Sequence, residues 1–176
     1  ILTEVYGFAH SRRVIWIGFA SLLFTFLMFW LIRILPGEQM WMETVGQEAF
    51  NSVLGGISFG GIVLASVSGY LIGSFSNSII MVIMKKLTNG KLLWLRTIGS
   101  TIVGEFLDSA VFIAIASLTD VFPWELFWSL TLTNYIFKVA IEVLFTPVTY
   151  LTTDKLKKAE GVDVYSDLTD LNPLSF

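Results

Sequence analysis

The sequence predicts an all-α protein, a polytopic membrane helix bundle with four spans in its 176 residues. Hydrophobic residues make up 55 % of the chain, charged residues only 14 %, and the mean hydropathy is +0.74. Such a composition differs strongly from that of a soluble domain. Several apolar stretches reach about 20 residues, the length at which a helix crosses the hydrocarbon core. Basic residues cluster between these stretches, as the positive-inside rule describes for membrane proteins.

The composition also excludes several classes of function. The chain has no Cys, which excludes disulfide scaffolds and thiolate metal or redox sites. Its basic residues lie in short clusters, so general nucleic-acid binding is not expected. The single histidine, His10, lies beside Arg12 at the predicted membrane surface. Because Ser100 has no histidine base near it, an intramembrane hydrolase is disfavoured, and we predict no enzyme activity, cofactor or metal.

The first apolar segments are separated by a proline and a glycine. Residues 1–7 read like the end of an upstream helix, and the first span covers 14–35, apolar apart from Arg33. Pro36 and Gly37 end this span. The stretch that follows is acidic and aromatic, which favours a helix lying in the membrane interface.

The second span, 56–77, has a small residue at every fourth position. These positions share one helix face, where another backbone can approach closely. We interpret the stripe as a packing seam between helices rather than as a substrate path, with Asn77 as its one candidate for a polar role. The stripe consists of Gly61, Ala65, Gly69 and Gly73.

The last two spans, 93–118 and 126–150, are joined by a short connection, and the polar residues 151–176 read as a solvated cytoplasmic tail. The basic clusters fall before the first span, between the second and third, and after the fourth. Both ends of the chain are therefore expected on the cytoplasmic side. The clusters comprise Arg12, Arg13, Lys85, Lys86, Lys91, Arg96, Lys155, Lys157 and Lys158.

The third span contains two acids, Glu105 and Asp108, three residues apart and therefore on one helix face. Each ionised acid at the bilayer centre costs about 2.5–3.5 kcal/mol, while each strongly apolar residue returns only about 0.3–0.6 kcal/mol. The two contributions nearly cancel in this span. We therefore expect this face to point into the bundle or into a wet cavity.

The fourth span repeats the theme with Asn134, Lys138 and Glu142 at intervals of four residues. Lys138 could instead form a purely structural pair, either with Glu142 or with an acid of the third span. If all these groups are ionised, the membrane interior has an acidic excess. Arg96, bound protons or a cationic ligand are the candidates to balance it.

Four stretches taken together resemble the queuosine precursor transporter family, also described as the vitamin uptake transporter group. They read LTEVYG at 2–7, ASVSGYLIG at 65–73, RTIGSTIVGEFLDS at 96–109 and NYIFKV at 134–139. The ending KAEGVD at 158–163 is also similar to this family. The resemblance covers nearly all of the chain, and the stretch from Arg96 to Ser109 is its most specific part.

The resemblance implies an importer of precursors of the tRNA nucleoside queuosine: 7-cyano-7-deazaguanine, 7-aminomethyl-7-deazaguanine or, in some members, queuine. It also implies six helices in the full protein, two of them ahead of Leu2, and a fold similar to the substrate-binding components of energy-coupling factor importers. A binding-only subunit of a multicomponent vitamin or nucleobase importer is the alternative. The expected location is the inner (cytoplasmic) membrane, multi-pass, with a cytoplasmic C-terminus; a homodimer is left open, and nucleic acid is not an expected partner.

The residue chemistry fits such a ligand independently. A deazaguanine presents an N–H and an exocyclic amine on one edge, which a carboxylate can accept as two charge-assisted hydrogen bonds. Its flat ring can stack on aromatic side chains of the third and fourth spans. The predicted substrate-binding residues are Glu105, Asp108, Asn134, Lys138, Glu142, Arg96, Ser100, Tyr135, Asn77 and Glu4.

Overall fold

A computed structural model describes residues 1–49, 51–52 and 60–175, and within these residues it is all helical. Four helices are long and apolar enough to cross a membrane, which confirms the predicted helix bundle. They are α1 (Leu2–Ile34), α3 (Gly61–Leu87), α4 (Leu93–Leu118) and α5 (Phe127–Glu160). A short α2 (Gln39–Thr44) lies between the first two, and 3-10 turns occupy Trp124–Leu126 and Leu168–Asp170.

Helix α1 contains a break at Gly7, where the backbone has φ 80° and ψ 178°. Only glycine adopts this conformation readily. A Cβ at this position would also lie 2.8 Å from Ser166 Oγ and from Val164 Cγ1 of the C-terminal tail. The break therefore separates a short first segment, residues 2–6, from the long remainder of α1, which covers most of the predicted span 14–35.

The stretch after Pro36 begins with the short helix α2, as its composition suggests. Glu38 caps α2, because its Oε2 accepts a hydrogen bond from the Trp41 N–H at 3.0 Å. Two backbone N–H groups bind this exposed carboxylate and lower the pKa of Glu38. Met40 on α2 is 71 % exposed, which fits an element lying against lipid headgroups.

The boundaries of the second and fourth long helices differ from the predicted ones. Helix α3 begins at Gly61 and continues to Leu87, beyond the predicted end at 77, while 56–59 lie outside the described residues. Helix α5 continues through Pro147 and ends at Glu160, where Gly161 adopts a left-handed conformation with φ 65°. Polar residues at the membrane surface can extend a helix beyond the hydrocarbon core. Helix α4 has the predicted bounds, 93–118.

The four long helices pack in the order α1, α3, α4, α5 and alternate in direction. Helices α3 and α4 form the most extensive contact, whereas α1 and α5 barely touch and leave a cleft between them. The N-termini of α1 and α4 meet the C-termini of α3 and α5, because Glu4 of α1 contacts Lys85, Arg96 and Lys157. We call this end of the bundle the basic end.

The C-terminal tail, residues 161–175, returns along the basic end instead of extending into solvent. The Arg12 guanidinium donates to the carbonyl of Asn172 at 2.9 Å and to Ser175 Oγ at 2.5 Å. The Trp16 indole N–H donates to the carbonyl of Pro173 at 2.9 Å. The tail is mostly exposed but is held against the bundle, because donors of α1 and α3 bind its carbonyls and carboxylates.

Candidate functional site

The small-residue stripe of α3 brings the backbone of α4 into close contact. A Cβ on Gly69 would lie 2.7 Å from Asp108 Oδ1, and one on Gly73 would lie 2.6 Å from Asp108 Cβ. Across the same contact, a Cβ on Gly104 would lie 2.6 Å from the Cβ of Asn77. The predicted packing seam is confirmed, and it determines where Asp108 and Asn77 sit.

Lys138 of α5 pairs with both acids of α4. Its ammonium lies 3.1 Å from Glu105 Oε2 and also contacts Asp108 Oδ2. The three side chains are 40 %, 31 % and 25 % exposed, so the group is partly open. Helix α5 packs against α4, and the two acids share a face, so one cation reaches both. Among the described residues, the recorded partners of Lys138 are therefore the acids of α4 and not Glu142.

A cavity lies between the long helices, in two adjoining chambers. The first has a volume of about 450 Å³ and the second about 540 Å³. Both are bordered by Ser74, Asn77, Glu105 and Glu142, so these residues form the neck between them. The combined space is in the range of small-molecule binding sites.

The two chambers differ in chemistry. The second chamber contains the charged group, with Asp108 and Lys138 facing Tyr70 of α3. The first chamber extends toward the basic end, and half of its lining residues carry a hydroxyl group. One of these, the Oγ1 of Thr97, is buried and has no hydrogen-bond partner within the described structure. The hydroxyl-bearing residues of the first chamber are Thr3, Ser11, Ser74, Ser78, Thr97, Ser100, Thr101 and Thr149.

Three other predicted site residues differ in whether they border a chamber, a side cavity or neither. Ser100 is fully buried, borders the first chamber and donates to the carbonyl of Thr97 at 3.1 Å. Asn134 borders a smaller side cavity of about 300 Å³ together with Asp108 and Lys138. Tyr135 packs edge-on against Phe106, with ring centroids 5.7 Å apart. Tyr135 thus supports the α4–α5 contact and does not border the chambers described here.

Glu4 and Arg96, the remaining two predicted site residues, are brought together at the basic end. Arg96 Nη2 lies 2.8 Å from Glu4 Oε1, and Arg96 Nε donates to Oε2 at 3.2 Å. Both side chains are 1 % exposed. Lys157 Nζ donates to the same Glu4 Oε1 at 2.7 Å, and Lys85 Nζ lies 3.7 Å from it. Arg96 therefore balances Glu4 rather than the acids of the cavity.

Sequence reasoning missed two groups of polar residues. The hydroxyls of Ser11, Ser78 and Thr97 border the first chamber, and their only sequence signal is a position on the polar side of an otherwise apolar helix. The sequence pattern predicts that Lys85 and Lys157 are surface charges that report topology, yet Lys85 is only 3 % exposed. A charge count cannot identify a buried lysine, because burial depends on which helix ends meet.

The arrangement is suited to binding rather than to bond cleavage. A neck with two carboxylates and an amide can accept and donate several hydrogen bonds to one polar face of a flat ligand. No group of His, Asp and Glu side chains able to hold a metal ion occurs among residues 1–49, 51–52 and 60–175. The site thus combines acceptors, one ammonium and hydroxyl groups.

Comparison with known proteins identifies the family. Residues 1–152 match the family model described as "Putative vitamin uptake transporter". The chain is 26 % identical over 152 residues to the "Probable queuosine precursor transporter" of Bacillus subtilis (strain 168), an alignment that covers 85 % of this chain and 63 % of that protein. The chain thus spans less than two thirds of that relative's length, and no solved structure matches it. Since the family model covers most of the chain and four helices can span a membrane, this protein belongs to the family of putative vitamin uptake transporters.

Proposed function

We propose that the protein imports queuosine precursors across the inner membrane for tRNA modification, and that it holds the ligand at the neck of the cavity. The ligand class is 7-cyano- or 7-aminomethyl-7-deazaguanine, with queuine as a further member. The observation that supports this most is the neck itself, where Asn77, Glu105 and Glu142 converge inside a bundle of apolar helices. Ionisable residues within membrane helices are typical of substrate paths.

The charge distribution suggests how the ligand is held. Lys138 compensates Glu105 and Asp108, while Glu142 forms no ion pair with a side chain of the described residues. An N–H and amine edge of a deazaguanine can approach Glu105 or Glu142 at the neck and form two charge-assisted hydrogen bonds. Glu105 can exchange its contact with Lys138 for the ligand, since Asp108 continues to hold the ammonium. Asn134 borders the side cavity together with Asp108 and Lys138, and it adds a polar contact from there.

The basic end is the cytoplasmic end in this proposal, because it gathers the Lys and Arg clusters of the connections. The structure brings Lys85, Arg96 and Lys157 into one cluster there, as expected if these connections face one compartment. The ligand then enters from the opposite side and leaves through the first chamber. The C-terminus is cytoplasmic in the same orientation.

The test is uptake by the purified full-length protein reconstituted alone into liposomes. We expect accumulation of labelled 7-aminomethyl-7-deazaguanine inside these liposomes, and thermal stabilisation of the protein in detergent by the same compound, because a ligand of the native state raises its stability. Adenine at the same concentration is the control ligand. Stabilisation without uptake would favour the binding-only subunit. The absence of both stabilisation and uptake would refute the proposal.

A further inference from the structure

Glu4 is the point at which all four long helices and the tail meet. We call the group formed by Glu4, Lys85, Arg96, Lys157 and Asp163 the Glu4 cluster. Asp163 Oδ1 of the tail lies 2.5 Å from Lys85 Nζ and 2.9 Å from Lys157 Nζ, the same two ammonium groups that approach Glu4. The carboxylates of Glu4 and Asp163 thus share three cations, and Glu4 is almost completely buried.

The Glu4 cluster lies next to the first chamber at the basic end. Thr3 and Thr97 border the chamber, and their chain neighbours Glu4 and Arg96 form the bidentate ion pair directly beyond it. Thr3 also contacts Ser11 at 2.8 Å, which continues the polar lining along α1. A polar ligand moving from the neck toward the basic end therefore meets hydroxyl groups first and the Glu4 cluster last.

Glu4 lies on a segment that has a hinge. Residues 2–6 are joined to the rest of α1 through Gly7, whose backbone is not helical. This break leaves backbone groups of α1 without helical partners, and the tail satisfies them. Val164 N–H donates to the carbonyl of Val5 at 3.1 Å, and Phe8 N–H donates to Ser166 Oγ at 2.8 Å.

The tail also covers the cluster from outside. The Lys85 ammonium donates to the carbonyl of Val164 at 2.9 Å and lies 4.6 Å from the centre of the Tyr165 ring. These contacts, together with Asp163, hold residues 163–165 over a lysine that would otherwise face the compartment at the basic end. Residues 163–165 are held by side-chain and single backbone contacts, whereas Leu171 further along packs against the apolar cluster of α1 and α3, so the part of the tail over the cluster can release without unfolding the bundle.

We propose that the Glu4 cluster is the inner gate of the substrate path and that the tail, through Asp163, is its latch. This inference rests on the proposed function for the direction of transport. In the closed gate, Glu4 holds α3, α4 and α5 through one carboxylate. When the tail releases, Lys85 and Lys157 become hydrated, and the segment 2–6 turns at Gly7 and opens the chamber. Glu4 and Arg96 are positioning residues here and do not contact the ligand at the neck.

A reporter cysteine in the first chamber tests this gate. We would introduce Thr97→Cys, whose side chain is buried beside Arg96, in a background without other cysteines. Membrane vesicles of both orientations are treated with a membrane-impermeant thiol reagent. Asn89→Cys, on the exposed turn after α3, marks the side on which the basic end lies. In the Thr97→Cys protein with an otherwise unchanged tail, which is the parent for the labelling assay, we expect slow labelling of residue 97 from that side.

The latch is tested with a matched pair of tail variants. Asp163→Asn removes the carboxylate that binds Lys85 and Lys157, whereas Asp167→Asn removes the exposed carboxylate that binds Lys86 at 3.0 Å. We expect Asp163→Asn to raise the labelling rate of residue 97 from the basic end by roughly tenfold, as when one charge-assisted hydrogen bond no longer favours the closed state. Asp167→Asn is expected to leave it unchanged.

A second measurement separates a gate from a merely structural contact. Asp163→Asn should change the maximal rate of 7-deazaguanine uptake and leave unchanged the ligand concentration that gives half-maximal thermal stabilisation. Rapid labelling of residue 97 from the basic end in the parent protein would refute the gate, as would equal labelling in the two tail variants. The labelling assay uses no ligand, so its result is independent of the proposed substrate. Failure of the proposed function would instead appear as absent uptake by the parent protein.

Discussion

Adding a single methyl group to Gly73 is expected to disturb both the helix packing and the charged group of the cavity. The Cβ of Gly73→Ala would lie 2.6 Å from Asp108 Cβ and 3.1 Å from the carbonyl oxygen of Gly104. Ordinary contact begins near 3.4 Å, so α4 must retreat by roughly 0.8 Å at Asp108. Backbone atoms on both sides prevent a local adjustment. Such overpacking costs about 1–3 kcal/mol.

Gly99→Ala is the matched control for this substitution. Its Cβ would lie 2.7 Å from Met84 Cε, at the flexible end of a side chain that can rotate away. Thermal unfolding of the two purified variants in detergent measures the difference. We expect a clear loss of stability for Gly73→Ala, little change for Gly99→Ala, and weaker binding of 7-deazaguanines only for Gly73→Ala. Equal melting temperatures for Gly73→Ala, Gly99→Ala and the parent protein would refute the packing argument.

Three further outcomes are expected. Lys138→Met leaves Glu105 and Asp108 side by side without their shared cation, so the melting temperature should fall, and an unchanged value would show that the ion pairs do not stabilise the bundle. Glu105→Gln adds donors that would face the donor edge of a deazaguanine, so binding followed by thermal shift should weaken by about 1–3 kcal/mol if that contact is direct, and unchanged binding would remove Glu105 from the site. Burial raises the pKa of Asp163, but hydrogen bonds from Lys85 and Lys157 outweigh this effect, so the pKa is lowered. The stabilisation by Asp163 is therefore present above the pKa of about 3.9 that an aspartate has in the unfolded chain, and it is lost as the pH falls through the lower pKa of the folded protein. Hydrogen exchange at the Val164 amide should therefore lose protection at acidic pH in the parent protein but not in Asp163→Asn, and equal pH dependence in the two would contradict this.

The sequence by itself determined the fold class and the position of most helices. Apolar stretches of sufficient length, with charges confined to a few positions, leave backbone groups no partner in lipid except within a helix. Helix α4 consequently has its predicted bounds, and the stripe containing Gly69 and Gly73 is the seam that its spacing indicates. The acids of α4 and Lys138 were recognisable as exceptions, because each one is costly in a lipid-facing position.

Only the tertiary structure decided which of these charges meet. Periodicity places Glu105, Asp108 and Lys138 on helix faces, but it does not determine that Lys138 pairs with both acids of α4 rather than with Glu142, since this depends on how α5 packs against α4. The same holds at the basic end, where Glu4 lies far along the chain from Arg96 and Lys157, yet a single carboxylate binds both. Contacts between distant parts of a chain follow from the approach and rotation of whole helices, which sequence spacing within one helix does not encode.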